Sequence, residues 1–278
     1  MGLITLIRGG GDLASGVALR LHRAGLRVMI TELPQPLVVR RLVSFAEAVH
    51  RGVFTVEDVT ARRVNDLETA RRMMDQREIP VLVDRDCEVL TVLRSSNESL
   101  TESNRQEPVV LVDARMTKRP GDIDLDCAAL VIGLGPGFVA GANCHAAIET
   151  KRGHFLGRVN WDGSPEEDTG VPEGVAERVL RAPADGIFLA SVEICTHLEP
   201  GQSVGEVSGQ RIPAPFSGVL RGLLLSGILV TRGMKIGDLD PRDEPDYCRL
   251  VSDKSLAVGG GVLEAILSRP GLRPYLWG

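Results

Sequence analysis

Aromatic residues make up only 4% of this 278-residue chain, so no surface is expected on which nucleic-acid bases would stack in series. Excess positive charge is also absent. The formal net charge is −5, which gives no electrostatic footprint for nucleic acid or an anionic membrane. The five cysteines, Cys87, Cys127, Cys144, Cys195 and Cys248, are odd in number and scattered, and no C-x-x-C occurs. Neither a disulfide framework nor a zinc ribbon is expected, and no metal ligands are assigned. No apolar run approaches the roughly 20 residues of a membrane span. Met1 leads straight into a strand-like run, without a basic region, apolar segment and cleavage site. The expectation is a cytoplasmic protein with no membrane or nucleic-acid partner. What remains, 43% hydrophobic and 25% charged, is an ordinary globular balance with room for one large or two ordinary domains.

The informative stretch lies at the N-terminus. Leu3-Ile4-Thr5-Leu6-Ile7 reads as a buried strand. The loop Arg8-Gly9-Gly10-Gly11-Asp12-Leu13-Ala14-Ser15-Gly16 follows, then an amphipathic helix to Ala24 stopped by Gly25. A second apolar run, Val28-Met29-Ile30, ends in Thr31-Glu32. This is the order of a dinucleotide-binding unit. Gly9 permits the tight turn, Gly10 and Gly11 bring backbone close to a phosphate, and Ala14 allows close helix–strand packing. Asp12 opens the helix, whose N-terminus attracts an anion. Glu32 is placed to bind ribose hydroxyls. A tight turn with no ligand remains the alternative.

Further along, Leu37 to Arg51 has helical spacing, with Arg40-Arg41 either solvated or facing an extra cofactor phosphate. Val53 to Val56 reads as a short strand, Asp66 to Arg77 as a helix capped near Asp66, and Pro80 to Asp84 as a compact apolar run. Glu88 to Leu93 is ambiguous, and Ser95 to Glu107 reads as an exposed loop. Pro108 to Asp113 and Ala128 to Ile132 are buried strands, the first leading into the charged loop Asp113 to Arg119.

The second of these strands enters another glycine-rich loop, Gly133 to Gly141. Its backbone amides, with Lys151 and Arg152, suggest a phosphate or carboxylate pocket lined by Gly133, Gly135 and Gly137, with a merely structural glycine turn as the alternative. His145 and Glu149 share a face if the segment is helical. Cys144 and His145 are the candidate catalytic pair, because a thiolate near Lys151, Arg152 and His145 would have a depressed pKa. A buried, inert cysteine is the alternative reading.

Trp161 to Gly174 reads as a linker. From Ala182 the chain repeats with a period of 32: Ala182-Pro183-Ala184-Asp185-Gly186-Ile187 aligns with Ala214-Pro215-Phe216-Ser217-Gly218-Val219. Gly201, Val204, Gly205, Glu206 and Val207 align with Gly233, Ile236, Gly237, Asp238 and Leu239. Glycines at turns between short apolar runs imply β-hairpins in two related halves. These segments resemble biotinyl and lipoyl carrier domains of the barrel-sandwich-hybrid fold. That family carries its modified lysine on the central hairpin. Here the hairpin, Val207 to Ile212, has no lysine, so biotin and lipoate are not expected. After Asp240-Pro241-Arg242 the chain ends in Ser252-Asp253-Lys254, the triple glycine Gly259 to Gly261 and an apolar helical run stopped by Pro270.

As a whole the sequence resembles the accessory proteins of selenium-dependent molybdenum hydroxylases, the YqeB type. The residues that carry this are the Arg8–Gly16 loop; Ile132 to Phe138 with Gly141, Cys144 and His145; Ile148 to Val159; Arg181 to Gly186; Lys235 to Arg242; and Ser252 to Lys254. The resemblance implies a role in maturing a molybdenum hydroxylase, with its apoenzyme or other maturation proteins as partners, or a second copy of this chain. The fold expected is α/β: a Rossmann-like domain over residues 1–160, a barrel-sandwich-hybrid-like β-rich domain over 180–242, and a tail, 243–278, packing back on the body. The cofactor expected is NAD(P) or another nucleotide-containing molecule, a molybdopterin-type one included. An NAD(P)-dependent oxidoreductase, with Glu32 favouring NAD, and a non-catalytic scaffold are the alternatives.

Overall fold

The computed structural model describes residues 2–98, 107–117, 121–167 and 176–277. The chain divides into two compact units. The first comprises Met1–Pro36, Phe45–Asp168 and Val251–Gly278, and the second Leu37–Ser44 and Thr169–Leu250.

In the first unit the order is β1 (Ile4–Arg8), α1 (Asp12–Arg23), β2 (Arg27–Glu32), α2 (Glu47–Arg51), β3 (Val53–Val56), β4 (Val59–Val64), α3 (Leu67–Asp75), β5 (Ile79–Val83), α4 (Glu88–Glu98), β6 (Val109–Asp113), β7 (Leu130–Leu134), β8 (Ala146–Ile148), β9 (Val159–Asn160) and α5 (Asp253–Leu267). The strands form one sheet in the order β3-β4-β5-β2-β1-β6-β7-β8-β9. From β4 to β8 neighbours run parallel, whereas β3 and β9 pair antiparallel at the two edges. β1 and β6 are buried along their whole length, as expected of parallel strands covered on both faces.

Helix α1 buries Leu13, Val17 and Leu21, and also Ala14, Ser15, Gly16 and Ala18. The small residues are needed because α5 packs closely on it. A Cβ at Gly16 would lie 2.4 Å from Ser255 Cβ, and one at Gly259 would lie 3.0 Å from Gly16 O. Gly261 has the same use: a Cβ there would meet Gly157 O at 2.2 Å. Gly259 and Gly261 thus serve the close packing of α5, whereas the space beside Gly260 is open. Ser252 caps α5 by accepting from Ser255 N at 3.1 Å, and Asp66 caps α3 by accepting from Thr69 N at 2.7 Å.

Several expectations are corrected. The Rossmann-like domain gives way to a nine-stranded mixed sheet. Residues 53–64 add an antiparallel hairpin at one edge, and residues 146–160 add β8 and β9 at the other. The segment between His145 and Glu149 is not helical: it is strand β8. Residues four apart on a strand are about 13 Å apart, so His145 and Glu149 do not pair as they would on a helix. Leu37 to Arg51 is not one helix but a 3-10 turn, Arg41–Val43, and the short α2. Tertiary pairing overrides the helical spacing: Leu223 N donates to Val39 O at 2.8 Å inside the second unit. There Arg40 donates to Tyr247 O at 2.8 Å and Arg41 to Leu223 O at 2.9 Å, so both guanidiniums hold backbone carbonyls. Helix α4 runs to Glu98, into the stretch read as a loop; residues 99–106, Lys118, Arg119 and residues 168–175 of the expected linker lie outside the described residues.

The second unit contains β10 (Val179–Arg181), β11 (Gly186–Ala190), β12 (His197–Leu198), β13 (Ser203–Val207), β14 (Gln210–Pro213), β15 (Gly218–Leu223), β16 (Leu229–Val230) and β17 (Lys235–Asp240). In place of the expected barrel-sandwich-hybrid-like domain there are two four-stranded antiparallel sheets, β10-β17-β15-β12 and β14-β13-β11-β16. They share one core that includes Leu180, Phe188, Val204, Leu220, Ile236 and Leu239. β13 and β14 pair directly through Val207 and Gln210, and the turn residues Ser208 and Gly209 have φ of +50° and +73°, as a two-residue hairpin turn requires.

Candidate functional site

One row of residues crosses the carboxyl ends of four parallel strands in the first unit. Thr31 (β2), Arg8 (β1), Asp113 (β6) and Gly133 (β7) are register partners in turn. From β1 the chain moves to β2 on one side, while β6 and β7 lie on the other. Such a reversal opens a crevice outside the strand ends, where open α/β sheets bind ligands.

The first glycine loop sits directly above this row. Gly9 has φ of +93°, and its N–H donates to Thr31 O at 2.8 Å. Gly10 is pressed against Ala46, whose nitrogen would lie 2.9 Å from a Cβ there. Gly11 is the extended N-cap of α1, with no side-chain cap, so the amides of the first turn are not closed off by a capping side chain. Asp12 begins the helix, and Ala14 is buried beneath it. Ser15, which sequence reasoning passed over, ties the loop down: its hydroxyl donates to Gly10 O at 3.1 Å and accepts from Phe45 N at 2.8 Å.

Glu32 reaches back to the loop. Its Oε2 accepts from Gly10 N at 2.6 Å and its Oε1 from Leu33 N at 2.7 Å. Burial raises its pKa despite these two bonds. The carboxylate expected on a ribose thus holds an amide of the glycine turn.

Beside the loop is a charge network that the sequence showed only as a charged strand end. The Arg8 side chain is 5% exposed, and its Nη1 lies 2.9 Å from Asp122 Oδ2. Arg115 meets the fully buried Asp113 through Nε and Nη2, the closest contact being 2.6 Å, and meets Asp122 at 2.7 and 3.0 Å. Hydrogen bonds from Arg115 and then Arg8 hold Asp122 well below the usual carboxylate range. Cys87 lies at the same end of the sheet, where Thr31 Oγ1 donates to its Sγ at 3.9 Å; burial pushes this thiol up to about 11.

The second glycine loop is built differently. A Cβ at Gly133 would lie 2.0 Å from Phe138 Cγ, and one at Gly135, where φ is +77°, would lie 2.6 Å from Thr150 Oγ1. Gly137 also has positive φ, +97°, and Asn143 donates to its carbonyl at 3.1 Å. Cys144 is packed in the hydrophobic core with Phe138 and Ala140, and burial pushes its thiol up to about 11. This is the reverse of the depressed value expected. His145 Nδ1 accepts from Val131 N at 3.0 Å, and burial lowers its pKa, so that nitrogen is occupied by backbone. The two cations expected to line an anion pocket meet acids: Lys151 Nζ lies 2.5 Å from Glu166, and Arg152 lies 2.5 Å from Asp253. Among the described residues, no group of three or more His, Cys, Asp or Glu side chains is arranged to hold a metal ion.

No protein-family model matches the chain. Among curated proteins, it is 43% identical over 268 residues to the Uncharacterized protein YqeB of Escherichia coli (strain K12). The chain is similar to this relative over nearly its whole length. The match covers 95% of this chain but 47% of that relative, so the chain spans about half the relative's length. Among solved structures, it is 21% identical to a succinylglutamatedesuccinylase/aspartoacylase from Rhodobacter sphaeroides over 28% of each chain, with a TM-score of 0.20. An aspartoacylase family protein from Mesorhizobium loti is 9% identical over 86% of this chain and 84% of that one, with a TM-score of 0.25. Likenesses at these TM-scores carry no weight for fold or activity. No helix among the described residues is long and apolar enough to cross a membrane.

Proposed function

We propose that this chain binds a nucleotide-bearing cofactor across the carboxyl ends of β2, β1 and β6, and acts in the cytoplasm as an accessory factor that handles this cofactor for a molybdenum hydroxylase. The observation that carries the binding reading is the Gly9–Gly11 turn, which delivers the side-chain-uncapped start of α1 to the reversal point of the sheet. Backbone amides and the helix dipole attract an anion there. On this reading a ligand phosphate takes the Gly10 amide, and Glu32 moves from it to the ribose hydroxyls. The maturation role is supported by the sequence resemblance, and the hydroxylase apoenzyme is the proposed partner.

Thermal-shift and calorimetric titration of the purified chain with NAD, NADP, FAD, ADP and a molybdopterin nucleotide test the binding reading. Saturable binding of at least one is expected, and a flat response to all of them overturns it. The maturation role is tested by measuring hydroxylase activity in cells lacking the full-length protein. A loss is expected; unchanged activity overturns that part.

A further inference from the structure

Arg8 is a cation at the buried end of a central strand. A charge so placed needs a partner, because an ion taken out of water and left unpaired is strongly disfavoured. The partner the chain supplies is Asp122, whose side chain is 52% exposed. Asp122 precedes the 3-10 turn Leu125–Cys127 and belongs to no strand or helix. Its carboxylate spans two guanidiniums: Oδ2 lies 2.9 Å from Arg8 Nη1 and 3.0 Å from Arg115 Nη1, while Oδ1 lies 2.7 Å from Arg115 Nη2. This forked arrangement is the one by which arginines take phosphate oxygens.

The two arginines differ from Asp122 in how firmly they are held. Arg115 is fixed from its other side by Asp113, which is fully buried and also accepts from Arg115 N at 3.0 Å. Arg8 is fixed by its place in β1. Without Asp122, two guanidiniums face one carboxylate, a net charge of +1 beside Gly9, the next residue in the chain. Resting on the nucleotide-binding reading above, we propose that Arg8 and Arg115 form a phosphate subsite continuous with the glycine turn, and that Asp122 is a displaceable carboxylate standing in that subsite. The ligand class is then a diphosphate-bearing molecule, with one phosphate on the turn amides and the other exchanging with Asp122.

Calorimetric titration of the wild-type chain, Asp122→Asn and Arg115→Gln with ADP and with inorganic pyrophosphate tests this, with unfolding curves confirming that each variant is folded. Removing the competing charge is expected to tighten both ligands about tenfold in Asp122→Asn, and Arg115→Gln is expected to weaken both by a similar factor. ADP binding that is equal in the wild type and Asp122→Asn overturns the subsite and leaves the nucleotide reading intact. Pyrophosphate bound more tightly by Asp122→Asn, with no nucleotide bound by any form, upholds the subsite and overturns the nucleotide reading. Failure of every form to bind either ligand overturns both.

Discussion

The two glycine-rich loops of the first unit have similar compositions and opposite uses. Both leave the carboxyl end of a central parallel strand, β1 in one case and β7 in the other. In the first, positive φ at Gly9 turns the backbone into a helix, and the contacts a Cβ would make there are ordinary ones, 3.4 Å or more. In the second, the chain turns into another strand, and Gly133 and Gly135 are small because Phe138 and Thr150 fill the space beside them. One loop presents backbone to the strand ends; the other fills the core. Glycine count alone does not tell the loops apart: beside Gly9 there is room for ordinary contact, Gly10 is closed by the backbone of Ala46, and the space beside Gly133 and Gly135 is filled by side chains.

The comparison predicts that stability and binding separate between the loops. The largest stability loss is expected for Gly133→Ala, where Phe138 must leave its position. About 3 kcal/mol is expected from urea unfolding; a loss below about 1 kcal/mol would undo the packing account. Gly9→Ala should cost less, about 1–2 kcal/mol from the left-handed backbone, yet it should weaken nucleotide binding, which Gly133→Ala leaves in place if the chain stays folded. The reverse pattern would exchange the roles assigned to the two loops.

Glu32→Gln sharpens the same contrast through pH. Because burial raises the Glu32 pKa above its ordinary 4.5, the folded chain holds this proton more tightly than the unfolded one. Its contribution to stability is therefore full below pH 4.5 and declines as pH rises through the raised value. Glu32→Gln should flatten that decline, and a variant whose pH profile matches the wild type would count against it. The smallest effect concerns Cys144. With its thiol buried and pushed up to about 11, it should label slowly with a thiol reagent at neutral pH in the native chain and rapidly once unfolded. Fast native labelling would restore it as a nucleophile.

What the sequence made legible was local. The run from β1 through Gly9 and α1 to β2 and Glu32 could be read because strand period, turn glycines and helix period follow one another within 30 residues. The Asp66 cap was legible for the same reason. Arg8 was not singled out as a site residue, because its role depends on Asp122, more than a hundred residues away. Glu32 was found, but its present partner was not, since an acid at a strand end looks the same whether it meets a ribose or an amide. Residues 37–51 were misread, and β8 was left unassigned, because long-range pairing decided their form.

The 32-residue repeat of the second unit bears on how the chain is made. β12, from the first copy, lies in a sheet with β15 and β17 from the second, and β10, just ahead of the repeat, completes it; β11, β13 and β14, from the first copy, take β16 from the second. Neither sheet belongs to one copy. Each copy gives strands to both sheets, so neither copy can close a sheet without the other. During synthesis β10 waits for β17, more than fifty residues later, so its sheet closes only after the ribosome has delivered Asp240.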